Sequence, residues 1–203
     1  MKKKQAWESD DKMRLIDLFH LDSVPAPEEP ESPKTFGEAL LFSFSVLCHG
    51  DKAVEAKMTE CLADTKAYCE AHEEAYDERG LEYNEEAAPW LQLIAAVDAA
   101  IEADYLCELD WKDDAEEFRS ALEEIIRNNG IVFSLKNLSF VREKSIPDWV
   151  AQFNECAGQS GITVYGIDID SDSYVLGAAH LADYAQAAET AGEVGIRITS
   201  RPS

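Results

Sequence analysis

The apolar residues that follow Thr35 recur every three or four positions, which is the spacing of one face of an α-helix. The first apolar stripe consists of Phe36, Leu40, Phe44 and Leu47. Thr35 is suited to cap the N-terminus of this helix, and Asp113 with Glu116 resembles the capping box of a later one. The predicted helices run over 35–50, over 52–79, from Pro89 onward, and from Asp113 to Gly130. Tyr105–Trp111 fits either a helix end or an extended strand.

The spacing changes after Gly130. Ile131–Leu135 and Leu138–Val141 are short and rich in β-branched and aromatic residues, and they predict a hairpin or two edge strands. A further helix is predicted to begin at Ser145, because a proline is tolerated in a first turn and apolar residues then share one face. Those apolar residues are Trp149, Val150, Phe153 and Cys156.

The segment from Gly161 to Arg197 predicts a small sheet. Ile162–Ile167 and Tyr174–Leu176 flank an aspartate-rich turn and are expected to pair antiparallel. Helix Leu181–Ala191 and strand Val194–Ile198 follow, and a strand–helix–strand connection within one sheet is normally parallel. The predicted fold class is therefore α+β, with a helical N-terminal part packed with a small mixed C-terminal β-sheet.

Proline content sets the predicted domain boundary. Four prolines between Val24 and Pro33 are incompatible with helix and with sheet hydrogen bonding. We therefore expect residues 1–34 to form an arm, with a short helix that begins near Asp10 or Asp11 and a Pro-rich linker behind it. The arm either docks on the domain or binds a partner as a peptide. Residues 35–203 are expected to form a single α+β domain.

The charge balance narrows the classes of partner. The 203 residues include 18 Lys and Arg against 41 Asp and Glu, which gives a formal net charge of −23. Such a surface repels nucleic acid and anionic membranes, because phosphate binding needs clustered basic side chains. Two interpretations remain: an acidic face that is only solvated, or one that attracts a basic protein, including by imitation of nucleic acid.

The cysteines and the N-terminal residues indicate a cellular compartment. The five cysteines are odd in number and scattered, which predicts free thiols in a reducing cytosol. No apolar signal segment follows Met1, and the longest apolar stretch, Ala39–Cys48, is far short of the roughly 20 residues that span a bilayer. A soluble cytoplasmic protein is expected.

Two stretches carry a resemblance to a known family. They are LCELDWKD over 106–113 and IDIDSDSY over 167–174, the second followed by Leu181-Ala-Asp and a closing Ile196. Together they resemble a family of bacterial proteins classed only as a domain of unknown function. Its members are small acidic cytosolic proteins, sometimes encoded beside toxin-immunity genes. The resemblance covers about the last half of the chain; it implies a fold and a cellular setting, and supplies no catalytic residues.

Asp168, Asp170 and Asp172 are the candidate metal ligands. Oxygen ligands at alternating positions suit a hard cation, and the spacing matches the first half of an EF-hand loop. The match ends there, because the sixth position of the loop needs Gly and holds Ser173, and the twelfth needs Glu and holds Ala179. The alternatives are a polar turn between two strands, a weak divalent-cation site and a catalytic carboxylate group.

The remaining motifs do not predict a zinc site, a nucleotide-binding site or a catalytic serine. Cys69 and His72 lie one helical turn apart, as zinc ligands can, but no second pair of similar spacing exists. No nucleotide-binding glycine loop or serine elbow is present. The sequence therefore favours a non-catalytic interaction protein without a cofactor, an immunity or accessory protein that binds a basic partner. The alternative is a divalent-metal-dependent activity at Asp168, Asp170 and Asp172. The oligomeric state stays open.

Overall fold

The fold is a small antiparallel sheet with helices on both faces. The computed structural model of the chain describes residues 35–202. The helices are α1 (Phe36–Leu47), α2 (Lys52–Ala63), α3 (Thr65–Ala71), α4 (Glu73–Glu78), α5 (Ala88–Glu102), α6 (Ala115–Asn128), α7 (Ile146–Ala157) and α8 (Leu181–Glu193). The strands are β1 (Leu106–Asp110), β2 (Ile162–Ile167), β3 (Ser173–His180) and β4 (Ile198–Thr199). The predicted α+β class is confirmed.

The strand order is β1-β3-β2-β4, and every neighbouring pair is antiparallel. The prediction of a mixed sheet was therefore wrong. β3 and β4, which α8 connects, do run in the same direction, because both are antiparallel to β2. They are not neighbours, however: β2 lies between them, so the expected parallel pair never forms.

Each face of the sheet carries its own hydrophobic core. Tyr165 and Val175 lie in the core formed with α1, α2, α3, α5 and α8. Val164 and Leu176 lie in the second core, with α6 and α7. Adjacent strand residues point to opposite faces, so a sheet covered on both sides has strands that are buried throughout. This explains why every residue of β2 is buried.

The predicted helix over 52–79 is three helices. Asp64 ends α2 in a non-helical conformation, and its carboxylate accepts the Ala67 backbone N–H at 3.0 Å to begin α3. His72 separates α3 from α4. The apolar stripe is almost continuous across these breaks, since the three helices lie against the same core, and periodicity alone did not reveal them.

The two strands predicted after Gly130 were also wrong. Residues 131–141 are irregular around a single 3₁₀ turn, Leu135–Asn137. The Arg119 guanidinium of α6 donates to the carbonyls of Leu135 and Leu138, at 2.6 and 2.8 Å. A side chain thus satisfies backbone groups that a neighbouring strand would otherwise take.

The remaining boundaries shift in smaller ways. The segment Tyr105–Trp111 is mostly extended, because β1 spans five of its seven residues. The N-cap of α6 is Asp114 rather than Asp113. The last strand is shorter than predicted. The Ile196 N–H donates to the Ala191 carbonyl at the end of α8, so the residues before Ile198 do not pair with a strand. The helix that begins after Ser145 is confirmed.

The predicted arm over 1–34 lies outside the described residues, as does Ser203. The assignment of residues 35–203 to a single domain stays a prediction.

Candidate functional site

Two turns meet at one edge of the sheet. Asp110, the last residue of β1, pairs with Ser173 at the beginning of β3, and Ile167 at the end of β2 pairs with both Val175 and Ile198. The turn after β1 and the turn after β2 therefore lie side by side. We call the exposed aspartates of this edge the acidic edge; they are Asp110, Asp168, Asp170 and Asp172.

The turn after β2 is held in place by its own polar groups and by α5. The Asp168 carboxylate accepts the Asp170 N–H at 3.0 Å, and Asp170 adopts a left-handed conformation with φ of 56°. Between them, Ile169 is buried, and its carbonyl accepts the Trp90 indole N–H of α5 at 3.0 Å. The apolar and polar residues of the turn thus point in opposite directions, and the carboxylates face solvent.

The three predicted metal ligands differ in their surroundings. Asp168 forms an ion pair with Arg197, at 2.9 Å between Oδ2 and Nη1. Within residues 35–202, the carboxylates of Asp170 and Asp172 have no hydrogen-bond or ion-pair partner. No group of three or more His, Cys, Asp and Glu in that part of the chain is placed to hold a metal ion. The metal hypothesis stays a prediction that a binding measurement tests.

A cavity of about 380 Å³ opens beside the acidic edge. Trp111, the residue after β1, lines it with 56% of its surface exposed. The Lys112 ammonium lies over the Trp111 ring, 4.8 Å from its centre. Further lining residues include Asp168, Asp172, Tyr174, Arg197, Thr199 and Pro202.

A partly buried charge cluster lies beside the acidic edge, and its residues Arg79 and Glu108 line a cavity together with Asp170 and Asp172. The Arg79 guanidinium donates to Asp98 of α5 and to Glu108 of β1, each at 2.8 Å. The Ser173 hydroxyl donates to the same Glu108 carboxylate. Burial raises the pKa of Asp98 even though Arg79 acts in the opposite direction. These contacts fix the first residue of β3, next to the aspartate turn.

Sequence reasoning missed this cluster. Arg79 lies 29 residues from Glu108 and 19 from Asp98, so no local spacing links them. Arg79 also ends the predicted helix over 52–79, among acidic residues that offer nearer ion-pair partners. In the structure it is the ion-pair partner of two carboxylates that belong to other elements.

A second acidic surface adjoins the edge. Residues 70–86 contain eight exposed acidic side chains: Glu70, Glu73, Glu74, Asp77, Glu78, Glu82, Glu85 and Glu86. Arg79 and Leu81 of this segment line a cavity together with Asp170 and Asp172. The segment 70–86 therefore reaches the acidic edge through Arg79 and Leu81.

The cysteines are free thiols, as predicted. Burial raises the pKa of Cys48 to about 12 and that of Cys107 to about 12. Both thiols therefore stay protonated at neutral pH, and a protonated thiol is a poor nucleophile. His72, the other half of the weak zinc motif, stacks on Tyr68 and contacts the Tyr68 carbonyl through Nδ1 at 2.8 Å.

Comparison with known proteins gives a family and no function. The family model of the domain of unknown function DUF6630 matches residues 40–202. Searches of the curated proteins and of the solved structures found no match. Across residues 35–202, none of the helices is both long enough and apolar enough to cross a membrane. Because the family model covers most of the sequence, the chain belongs to the DUF6630 family.

Proposed function

We propose that this member of the DUF6630 family is a non-catalytic interaction protein that binds a basic partner at its acidic edge. The observation that carries the proposal is the pair Asp170 and Asp172. Both carboxylates are exposed, and neither has a partner within the described residues. They stand on a turn that the buried Ile169 anchors to α5. A partner's Lys or Arg would thus meet charges that are already in position.

The charge of the surroundings favours a cationic partner. The net charge of the chain is −23, and residues 70–86 add eight exposed acidic side chains to its surface. Arg79 offsets little of this charge, because Asp98 and Glu108 already engage it. Such a field raises the association rate of a basic protein and repels nucleic acid.

The biological setting of the proposal is that of a cytoplasmic accessory or immunity protein. In this setting the acidic edge covers a basic surface of its partner and so blocks or steers the partner's own contacts. The protein itself performs no covalent chemistry in this role.

Capture of the partner from the host lysate tests the proposal. The protein, immobilised through its N-terminus, is incubated with lysate at 0.1 M and at 1 M salt, and bound proteins are identified by mass spectrometry. Screening shortens the reach of exposed charges from about 10 Å to about 3 Å between these conditions. A basic protein that is retained at low salt and lost at high salt supports the proposal, and an empty eluate at both salts contradicts it.

A further inference from the structure

We infer that Trp111 and the cavity beside it form the slot for an arginine side chain of the basic partner, and that Lys112 occupies the face of the ring until the partner binds. This inference deepens the proposed function and rests on it: it names the side chain that the acidic edge recognises.

Trp111 differs from the other tryptophans that the structure describes. The indole N–H groups of Trp90 and Trp149 donate to the carbonyls of Ile169 and Val141, and Trp149 is only 2% exposed. Trp111 is 56% exposed, and its indole N–H has no hydrogen-bond acceptor within residues 35–202. The packing of the described residues therefore does not require the Trp111 side chain, which stays exposed at the acidic edge.

The Lys112 ammonium shows that the ring face attracts a cation. It lies 4.8 Å from the ring centre, inside the range of about 6 Å over which cation–π attraction acts. Within the described residues, Lys112 forms no ion pair with any carboxylate, although Asp110 accepts its backbone N–H at 2.9 Å. A flexible lysine held only by the neighbouring ring is readily displaced.

The cavity favours arginine over lysine as the incoming group. A guanidinium is planar, stacks on aromatic faces and forms two parallel hydrogen bonds to one carboxylate, whereas an ammonium acts as a point charge. The cavity offers both partners, because Trp111 and Asp172 line it together. Its other carboxylate, Asp168, already binds a guanidinium, that of Arg197, at 2.9 Å. This internal pair illustrates the contact that Asp172 is free to make with a partner.

Two short peptides test the slot without knowledge of the partner. We would titrate the full chain with hexa-arginine and with hexa-lysine at low salt and measure affinity by calorimetry. Lys112→Gln removes the competing cation, and Lys136→Gln is the matched control, since it removes one exposed lysine from the 3₁₀ turn Leu135–Asn137. Trp111→Leu removes the aromatic face, and its thermal midpoint reports whether the fold is intact.

The slot predicts that hexa-arginine binds more tightly than hexa-lysine and that Trp111→Leu weakens the arginine peptide about three- to tenfold, with a smaller effect on lysine. Lys112→Gln should tighten hexa-arginine more than Lys136→Gln does. Equal affinities for the two peptides, or identical behaviour of the two lysine variants, would overturn the slot.

The two proposals fail in different ways. If lysate capture yields a salt-sensitive basic partner whose affinity does not depend on Trp111, the interaction function stands and the slot is wrong. If the peptides show the predicted preference and capture yields nothing, the slot stands and the proposed cellular function is wrong.

Discussion

The side-chain amide of Asn154 holds both backbone groups of Val164. Its Oδ1 accepts the Val164 N–H at 2.7 Å, and its Nδ2 donates to the Val164 carbonyl at 2.8 Å. The same Nδ2 donates to the Ser200 carbonyl, just after β4, at 3.0 Å. Asn154 therefore makes the hydrogen bonds to β2 that a longer β4 would make. It also links α7, which belongs to the second core, to this strand.

This arrangement predicts a large stability loss for Asn154→Ala. The change removes the acceptor of the Val164 N–H in a buried strand, whereas the Val164 carbonyl keeps the Thr163 hydroxyl as a donor at 3.1 Å. A buried group that loses its partner in this way costs about 1–3 kcal/mol in the free energy of unfolding. Urea denaturation measures the loss. The control is Gln152→Ala, whose amide donates to the exposed Ser139 carbonyl. Equal losses in the two variants would show that the strand edge does not depend on Asn154.

Gly177 in the centre of the sheet predicts a second loss. A Cβ at this position would lie 2.4 Å from the Tyr165 ring and 2.6 Å from Leu106, so Gly177→Ala forces the ring aside. Overpacking of this kind costs about 1–3 kcal/mol or more. Tyr165→Leu removes the ring that this Cβ would meet. In a Tyr165→Leu background, Gly177→Ala should therefore lower the free energy of unfolding by much less than it does in the parent chain.

Gly158→Ala is the matched control for Gly177. Its backbone is helical, with φ of −57°, and an added Cβ meets no atom within 4 Å. Thermal unfolding should show a midpoint equal to or above that of the parent chain, because alanine restricts the unfolded state. A Gly177→Ala protein as stable as Gly158→Ala would contradict the packing described for Tyr165.

The helix caps predict how stability depends on pH. Hydrogen bonds from the backbone N–H groups of Val54 and Glu117 lower the pKa of Asp51 and of Asp114, respectively, below 3.8. A carboxyl whose pKa is lowered by folding contributes stability above its unfolded pKa and loses it as the pH falls through its folded pKa. The free energy of unfolding should therefore fall as the pH drops below about 4.

Asparagine caps a helix without titrating, so the double variant Asp51→Asn, Asp114→Asn should show a shallower decline in acid. Denaturant titrations across this pH range measure the slope. Asp77→Asn is the control, since this exposed carboxylate accepts no backbone hydrogen bond within the described residues. A slope that changes as much in Asp77→Asn as in the cap variant would rule out the caps as its origin.

The metal alternative has a direct thermal test. The interaction model predicts the same unfolding midpoint in Ca²⁺, Mg²⁺ or Mn²⁺ as in NaCl of equal ionic strength. The reason is that Asp168 already forms an ion pair with Arg197. A ligand that binds the native state alone would raise the midpoint. A rise that disappears in Asp170→Asn, Asp172→Asn would establish a cation site at the turn and displace the interaction model.

The elements with strong local signals were predictable from the sequence. The helix after Ser145, the antiparallel pair of β2 and β3, and the helix that follows them all have a clear period and a clear boundary residue. The acidic turn was also found, since a cluster of aspartates between two apolar runs is visible without a structure. These features depend on neighbours in the chain.

The features that were missed depend on distant residues. Arg119 reaches across to Leu135 and Leu138 and so prevents the two strands that composition favoured. Likewise, β4 pairs with β2 rather than with β3, and this makes the sheet antiparallel throughout. No spacing in the sequence indicates which strand β4 pairs with. Trp111 was part of a family motif, but its exposure beside the aspartates became evident only when β1 was placed next to β3.

The most direct test of the acidic edge is the affinity of the captured partner for two variants of equal charge. Asp170→Asn, Asp172→Asn removes two charges from the acidic edge, and Glu60→Gln, Glu189→Gln removes two exposed charges from α2 and α8. Calorimetry at several salt concentrations should show roughly tenfold weaker binding and a shallower salt dependence for the edge variant only. Equal affinities and equal salt dependence for the two variants would contradict the acidic edge as the binding site.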